Sequence, residues 1–132
     1  RTTTLPLWKM GYEPSSPYDA IEANIKAGLH TLALLDIEAE GGNAMTATQG
    51  LEQLIALEAK LKKGILKSEA LVCVCARSGH EDVLVRAGEL AVLAKGDFGR
   101  PPHCLVIPGK LHFMEAEALV KLAGAPKKIL GD

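Results

Sequence analysis

Three apolar runs constrain this chain more than anything else in it: LHTLALLDI (29–37), ALVCVCA (70–76) and HCLVIPG (103–109). Each has the length of a strand and none alternates with polar residues. Strands of that kind are covered on both faces, so the chain has to supply helices to a sheet. The intervening segments read as those helices. Ser16 is a fitting N-cap, Pro17 suits the first helical position, and Asp19 completes a near capping box. A helix is therefore predicted from about residue 17 to 27, stopped at Gly28. Gly41, Gly42 and Asn43 form a turn, after which Thr46 and Gln49 make a second capping box. Leu51, Leu54, Ile55 and Leu61 mark the inward face of that helix, Glu58 can pair with Lys62 on the other, and Gly64 ends it. TTTLPLW (2–8) reads as an edge strand, because Pro6 has no amide to donate. DVLVRAGEL (82–90) reads as a further strand made less regular by Gly88, and residues 91–98 favour neither state. A last helix is predicted over 112–123, with Phe113, Ala116, Leu119, Val120 and Ala123 inward. Alternating helices and buried strands make the class α/β.

The chain has 132 residues, no interior composition break and no internal repeat, which predicts one domain over 1–132. With 15 basic and 16 acidic residues the net charge is -1. That balance offers no electrostatic attraction to nucleic acid or to an anionic membrane. No apolar run reaches the 18 or so residues of a membrane span, and no secretory leader is visible, which favours the cytoplasm. The three cysteines, Cys73, Cys75 and Cys104, are odd in number and form no CxxC pair, so they read as buried, reduced thiols.

Catalytic signatures are scarce. The chain contains no P-loop, GxGxxG, GxSxG or HExxH, and His30, His80, His103 and His112 are scattered without ligand spacing. Three places remain. Leu35 and Asp36 close a strand, where α/β folds place ligand crevices; Asp36 could equally be a turn acid. Arg77-Ser78-Gly79 follows the second buried run, and Gly79 would admit close approach of a ligand to the backbone; an ordinary turn fits as well. Pro101-Pro102 stiffens the entry to His103, which is either a site residue or a satisfied boundary histidine.

Several stretches taken together resemble the C-terminal half of diphthine synthases. They are SPYDAIEANIKAGLHTLALLDIEAE (16–40), MTATQGLEQLIALEAKLKKG (45–64), LVCVCARSG (71–79), VRAGEL (85–90) and DFGRPPHCLVIPGKLHFMEAEALVKLAGAP (97–126). The resemblance implies an S-adenosylmethionine-dependent methyltransferase of the tetrapyrrole methylase fold group. In that group a mixed-sheet domain with helices packed on it forms the C-terminal half of a two-domain protein. The methyl donor binds between the two domains, so this chain would need an N-terminal domain to complete its site. The resemblance further implies elongation factor 2 as protein substrate, methylation of the amino group of its modified histidine on the way to diphthamide, and a homodimer. Donor contacts carry over onto Leu35, Ser78 and His103, with alanine equally at home where Ser78 stands.

Two other readings are open at this point: a corrin-precursor methylase of the same fold group, and a dimerisation or interaction module that keeps the fold without methylating. Methyl transfer from an activated sulfonium needs alignment and a neutral amine rather than a triad or metal, so scarce acid–base machinery is compatible with the enzyme reading.

Overall fold

The strand that comes last in the chain lies in the middle of the sheet. A computed structural model describes residues 1–37 and 42–131. It contains β1 (Thr2–Leu5), β2 (Thr31–Leu35), β3 (Leu71–Ala76), β4 (Leu84–Glu89) and β5 (His103–Ile107) in the order β1-β2-β5-β3-β4. β1 runs parallel to β2, whereas β5 is antiparallel to both its neighbours and β4 is antiparallel to β3. β2 and β3 therefore point the same way, and their carboxyl ends flank the first residues of β5. The helices are α1 (Ser16–Lys26), α2 (Ala47–Leu61), α3 (Leu90–Leu93) and α4 (Phe113–Ala123). β1 is the expected edge strand but ends at Leu5, before Pro6, rather than at residue 8.

The two faces of the sheet are covered unequally. On one, Leu5, Ala33, Val72, Val74, Leu105 and Ile107 pack against Tyr18 and Ile21 of α1 and Leu51, Leu54 and Leu57 of α2. Each fully buried leucine there contributes roughly 2 kcal/mol of transfer free energy. On the other face α4 brings Ala123, Leu119 and Val120 against Cys73, Ala87 and Val106. One long helix cannot span five strands. Leu32 and Leu34 of β2 are accordingly exposed, at 36% and 43%. The expectation that this strand is covered on both faces fails here: its run is apolar, but its burial alternates.

Capping explains most of the helix boundaries. The Thr46–Gln49 box forms as expected, with the Gln49 amide 3.2 Å from Thr46 Oγ1 and the Thr46 amide 2.8 Å from Gln49 Oε1. α1 is capped one residue earlier than expected, at Ser15, whose carbonyl accepts from the Asp19 amide at 3.1 Å; its side chain makes no cap bond. Gly28 has φ +75° and turns the chain after α1 as expected. Of the expected 41–43 turn, Gly41 lies outside the described residues, while Gly42 has φ +64°. α4 carries a box that the residues did not advertise. The His112 amide donates to Glu115 Oε1 at 2.8 Å, and His112 Nδ1 accepts from the Met114 amide at 3.2 Å. Phe113, expected inward, is exposed and lies against the His112 ring at 4.6 Å between centroids.

α2 departs from its expected facing in two ways. Its buried stripe is Ala47, Gly50, Leu51, Leu54 and Leu57, and Ile55 is exposed. Glu58 does not pair with Lys62. It accepts from the Tyr18 hydroxyl at 3.0 Å, the Gly64 amide at 2.9 Å and the Leu66 amide at 2.7 Å, tying α1 to the segment that leaves α2. α2 ends at Lys62 in the left-handed conformation (φ 54°) rather than at Gly64, its amide donating back to Glu58. Burial alone would raise the Glu58 carboxyl, but the Leu66 and Gly64 amides and the Tyr18 hydroxyl outweigh it and hold the group below its ordinary 4.5. A depressed carboxyl contributes stability above its unfolded pKa, and that contribution is lost as pH falls through the folded value. Melting temperatures measured below pH 4.5 should therefore fall less steeply in Glu58→Gln than in the wild type.

Candidate functional site

The carboxyl ends of β2 and β3 and the start of β5 enclose an open concavity of about 350 Å³. It is lined by Leu34, Leu35, Cys75, Ser78, Pro102, His103 and Cys104. All three residues singled out in the sequence, Leu35, Ser78 and His103, thus meet at one place. The register explains why. Leu34 lies opposite Cys104, and Cys104 lies opposite Cys75, so these three share one face and form a row across the strands. Leu35, Ser78, Pro102 and His103 sit at the strand ends beside that row.

The contributions differ in kind. Leu34 is exposed and presents its side chain on the open face. Leu35 points the other way, with Cδ2 so close to α2 that a Cβ on Gly50 would stand 2.8 Å from it. Leu35 therefore borders the concavity from the core side. Ser78 is exposed, and its hydroxyl has no partner among the described residues. His103 is buried, with both ring nitrogens engaged. Nδ1 accepts from the Ala47 amide at the start of α2 at 2.9 Å, and Nε2 lies 3.1 Å from the Arg100 carbonyl, to which it donates. The imidazole is a satisfied boundary histidine, and what it offers the concavity is a fixed backbone position. Asp36 resolves toward the turn acid: its carboxylate accepts from the Leu7 amide at 3.2 Å and the Ile37 amide at 2.9 Å.

Arg77, which the sequence placed in a candidate segment without a role of its own, shapes the rim. It is buried and adopts φ 54°, which aims its side chain back under the loop that precedes β5. Nε donates to the Asp82 carbonyl at 3.0 Å and is 3.0 Å from Asp82 Oδ2; Nη1 donates to the Phe98 carbonyl at 2.8 Å and to the Arg100 carbonyl. Asp82 also meets Arg100 at 2.7 Å, and this hydrogen bond, with the charge of Arg77 behind it, holds the carboxyl below its ordinary value. The Arg77 amide donates to the Pro102 carbonyl at 2.8 Å, extending the ladder to the edge of the concavity. No single-residue signal marks this clamp, because its acceptors are carbonyls of loop residues.

The cysteines also differ from expectation. Cys73 is buried beneath α4, and burial pushes its thiol up to about 11. Cys75 and Cys104 are only half-buried, face the concavity and lie directly opposite each other. The two thiols influence each other, which raises Cys75 and lowers Cys104. Among the described residues no group of three or more His, Cys, Asp or Glu side chains is gathered for a metal ion. Among the same residues no helix is long and apolar enough to cross a membrane.

No protein-family model matches the chain. Curated relatives do. The diphthine synthase of Methanothermobacter thermautotrophicus is 49% identical over 130 residues, covering 98% of this chain and 49% of that protein. The diphthine synthase of Methanosphaera stadtmanae is 41% identical over 132 residues, 100% of this chain and 50% of that protein. The chain is homologous to the C-terminal half of the diphthine synthases. It spans about half the length of the relatives it matches. A crystal structure assigned as a diphthine synthase from Entamoeba histolytica superposes with a TM-score of 0.89 at 32% identity, over 96% of this chain and 51% of that one. A second diphthine synthase structure gives 0.81 at 32% identity, over 98% and 47%. The mixed sheet with helices packed on it is thus shared with about half of the chain in these diphthine synthase structures.

Proposed function

We propose that the concavity between β2, β3 and β5 is one wall of a methyl-donor site, and that the chain is the C-terminal domain of an S-adenosylmethionine-dependent diphthine synthase. The observation that carries this reading is the convergence of Leu35, Ser78 and His103 on one crevice at the strand ends, in a chain homologous to half of that enzyme. The lining suits an adenosine group. Leu34 and Pro102 offer apolar contact, the Ser78 hydroxyl offers one unpaired polar edge, and the volume suits part of a ligand of that size.

In this reading the substrate is the amino group of the modified histidine of elongation factor 2, the protein is cytoplasmic and homodimeric, and an N-terminal domain supplies the opposite wall. When bound, the donor supplies an activated sulfonium methyl, so the surrounding residues need to align and desolvate rather than to transfer protons. The arrangement found here matches that demand. His103 and Asp36 are tied up in structural hydrogen bonds, and the rim is fixed by Arg77.

The test joins this chain to the N-terminal half of the Methanothermobacter relative and offers unmethylated elongation factor 2 with labelled donor. Methyl incorporation is the expected result. Ser78→Trp, which fills the crevice from an exposed position, should weaken binding of S-adenosylhomocysteine about tenfold or more, a loss of at least 1.4 kcal/mol. A well-folded pair that incorporates no methyl, or a Ser78→Trp protein that binds as the parent does, would overturn the reading.

A further inference from the structure

Cys75 and Cys104 stand directly opposite each other on adjacent antiparallel strands, with both thiols turned to the same crevice. Residues so paired have Cα atoms about 4.5 to 5.5 Å apart. A disulfide spans about 4.4 to 6.8 Å between Cα atoms, so the pair lies within its reach. Both side chains are partly open to solvent, unlike Cys73, which lies under α4 and faces Val106. We propose that Cys75 and Cys104 form a thiol–disulfide modification site, oxidised by low-molecular-weight disulfides that enter the crevice. Cys104 is taken as the attacking residue, because its thiol is shifted down beside Cys75, whereas burial under α4 keeps Cys73 protonated.

The chemistry balances in two exchanges. The Cys104 thiolate attacks one sulfur of the small disulfide, forming a mixed disulfide and releasing a small thiolate that takes a proton from water. The Cys75 sulfur then attacks Cys104, its proton leaving with the second small thiol. Two protein thiols are oxidised, and one small disulfide is reduced to two thiols. The product ties β3 to β5 across the crevice, next to Leu34.

The test treats the 132-residue chain with oxidised glutathione at neutral pH, quenches with acid, blocks the remaining thiols with an alkylating reagent in denaturant and measures intact mass and peptide maps. The expected product has lost two hydrogens, takes up one alkyl group at Cys73 and reverts with dithiothreitol. Cys75→Ser should stop halfway and accumulate one glutathione on Cys104; Cys104→Ser should gain neither the bond nor glutathione at the rate of the parent. Three alkylated cysteines after treatment, a bond that includes Cys73, or glutathione on Cys73 in Cys75→Ser would each overturn the proposal. The bond is read by mass alone, so its outcome stands apart from whether the crevice holds a methyl donor.

Discussion

Arg77→Met should lower the melting temperature by roughly 10 °C, from a loss of about 3 kcal/mol in a domain of this size. The guanidinium is buried and donates to the Asp82, Phe98 and Arg100 carbonyls. Methionine fills a similar length of space and satisfies none of them, and each buried acceptor left unpaired costs about 1–3 kcal/mol. The Asp82 carboxylate is half-exposed and keeps Arg100 as a partner, so the ion pair is the smaller part of the loss. Arg77→Lys should fall between the two proteins, because one ammonium cannot reach acceptors spread over residues 82–100. Arg77→Gly separates the backbone from the clamp: it relieves the left-handed conformation, which costs roughly 1–2 kcal/mol, and still loses every guanidinium bond. Thermal melts followed by circular dichroism measure all three, and a shift of no more than a few degrees in Arg77→Met would show that the loop before β5 does not depend on this residue.

Gly109→Ala is expected to destabilise the fold by about 3 kcal/mol or more, beyond the usual range for one added methyl in a packed site. A Cβ at this position would stand 2.3 Å from the Leu29 carbonyl oxygen, 2.7 Å from the Leu29 carbonyl carbon and 2.9 Å from that of Gly28. These are backbone atoms, so no side-chain rotation can make room. The close approach is the seam where the turn leaving β5 packs on the turn entering β2. It is held by the Gly109 amide donating to His30 Nδ1 at 2.9 Å and the Lys110 amide donating to the Gly28 carbonyl at 3.3 Å. Gly79→Ala is the useful contrast. Gly79 has φ +85° but open space around it, so alanine there pays only the left-handed conformation, roughly 1–2 kcal/mol. Denaturant midpoints should rank Gly109→Ala well below Gly79→Ala, and the reverse order would remove the steric account of the seam.

The three places that hold Leu35, Ser78 and His103 were legible because each ends or begins an apolar run, and strand ends are where α/β folds open to ligands; the choice of those residues came from the resemblance to the diphthine synthases. The row Leu34–Cys104–Cys75 was not legible. Its members come from three strands, and only the central position of β5 brings them together. The clamp made by Arg77 was hidden for a related reason: its partners are mostly main-chain carbonyls that carry no residue signature.

What the residues determined by themselves is what acts within a turn or two of chain. The Thr46–Gln49 cap, the Gly28 turn and the apolar runs that become strands are all of this kind. Strand order, register and the sharing of cover between the two faces belong to the tertiary structure. A strand finds its neighbours by minimising exposed apolar area over the whole sheet. With one long helix on the second face, Leu32 and Leu34 stay open, however apolar their own segment is.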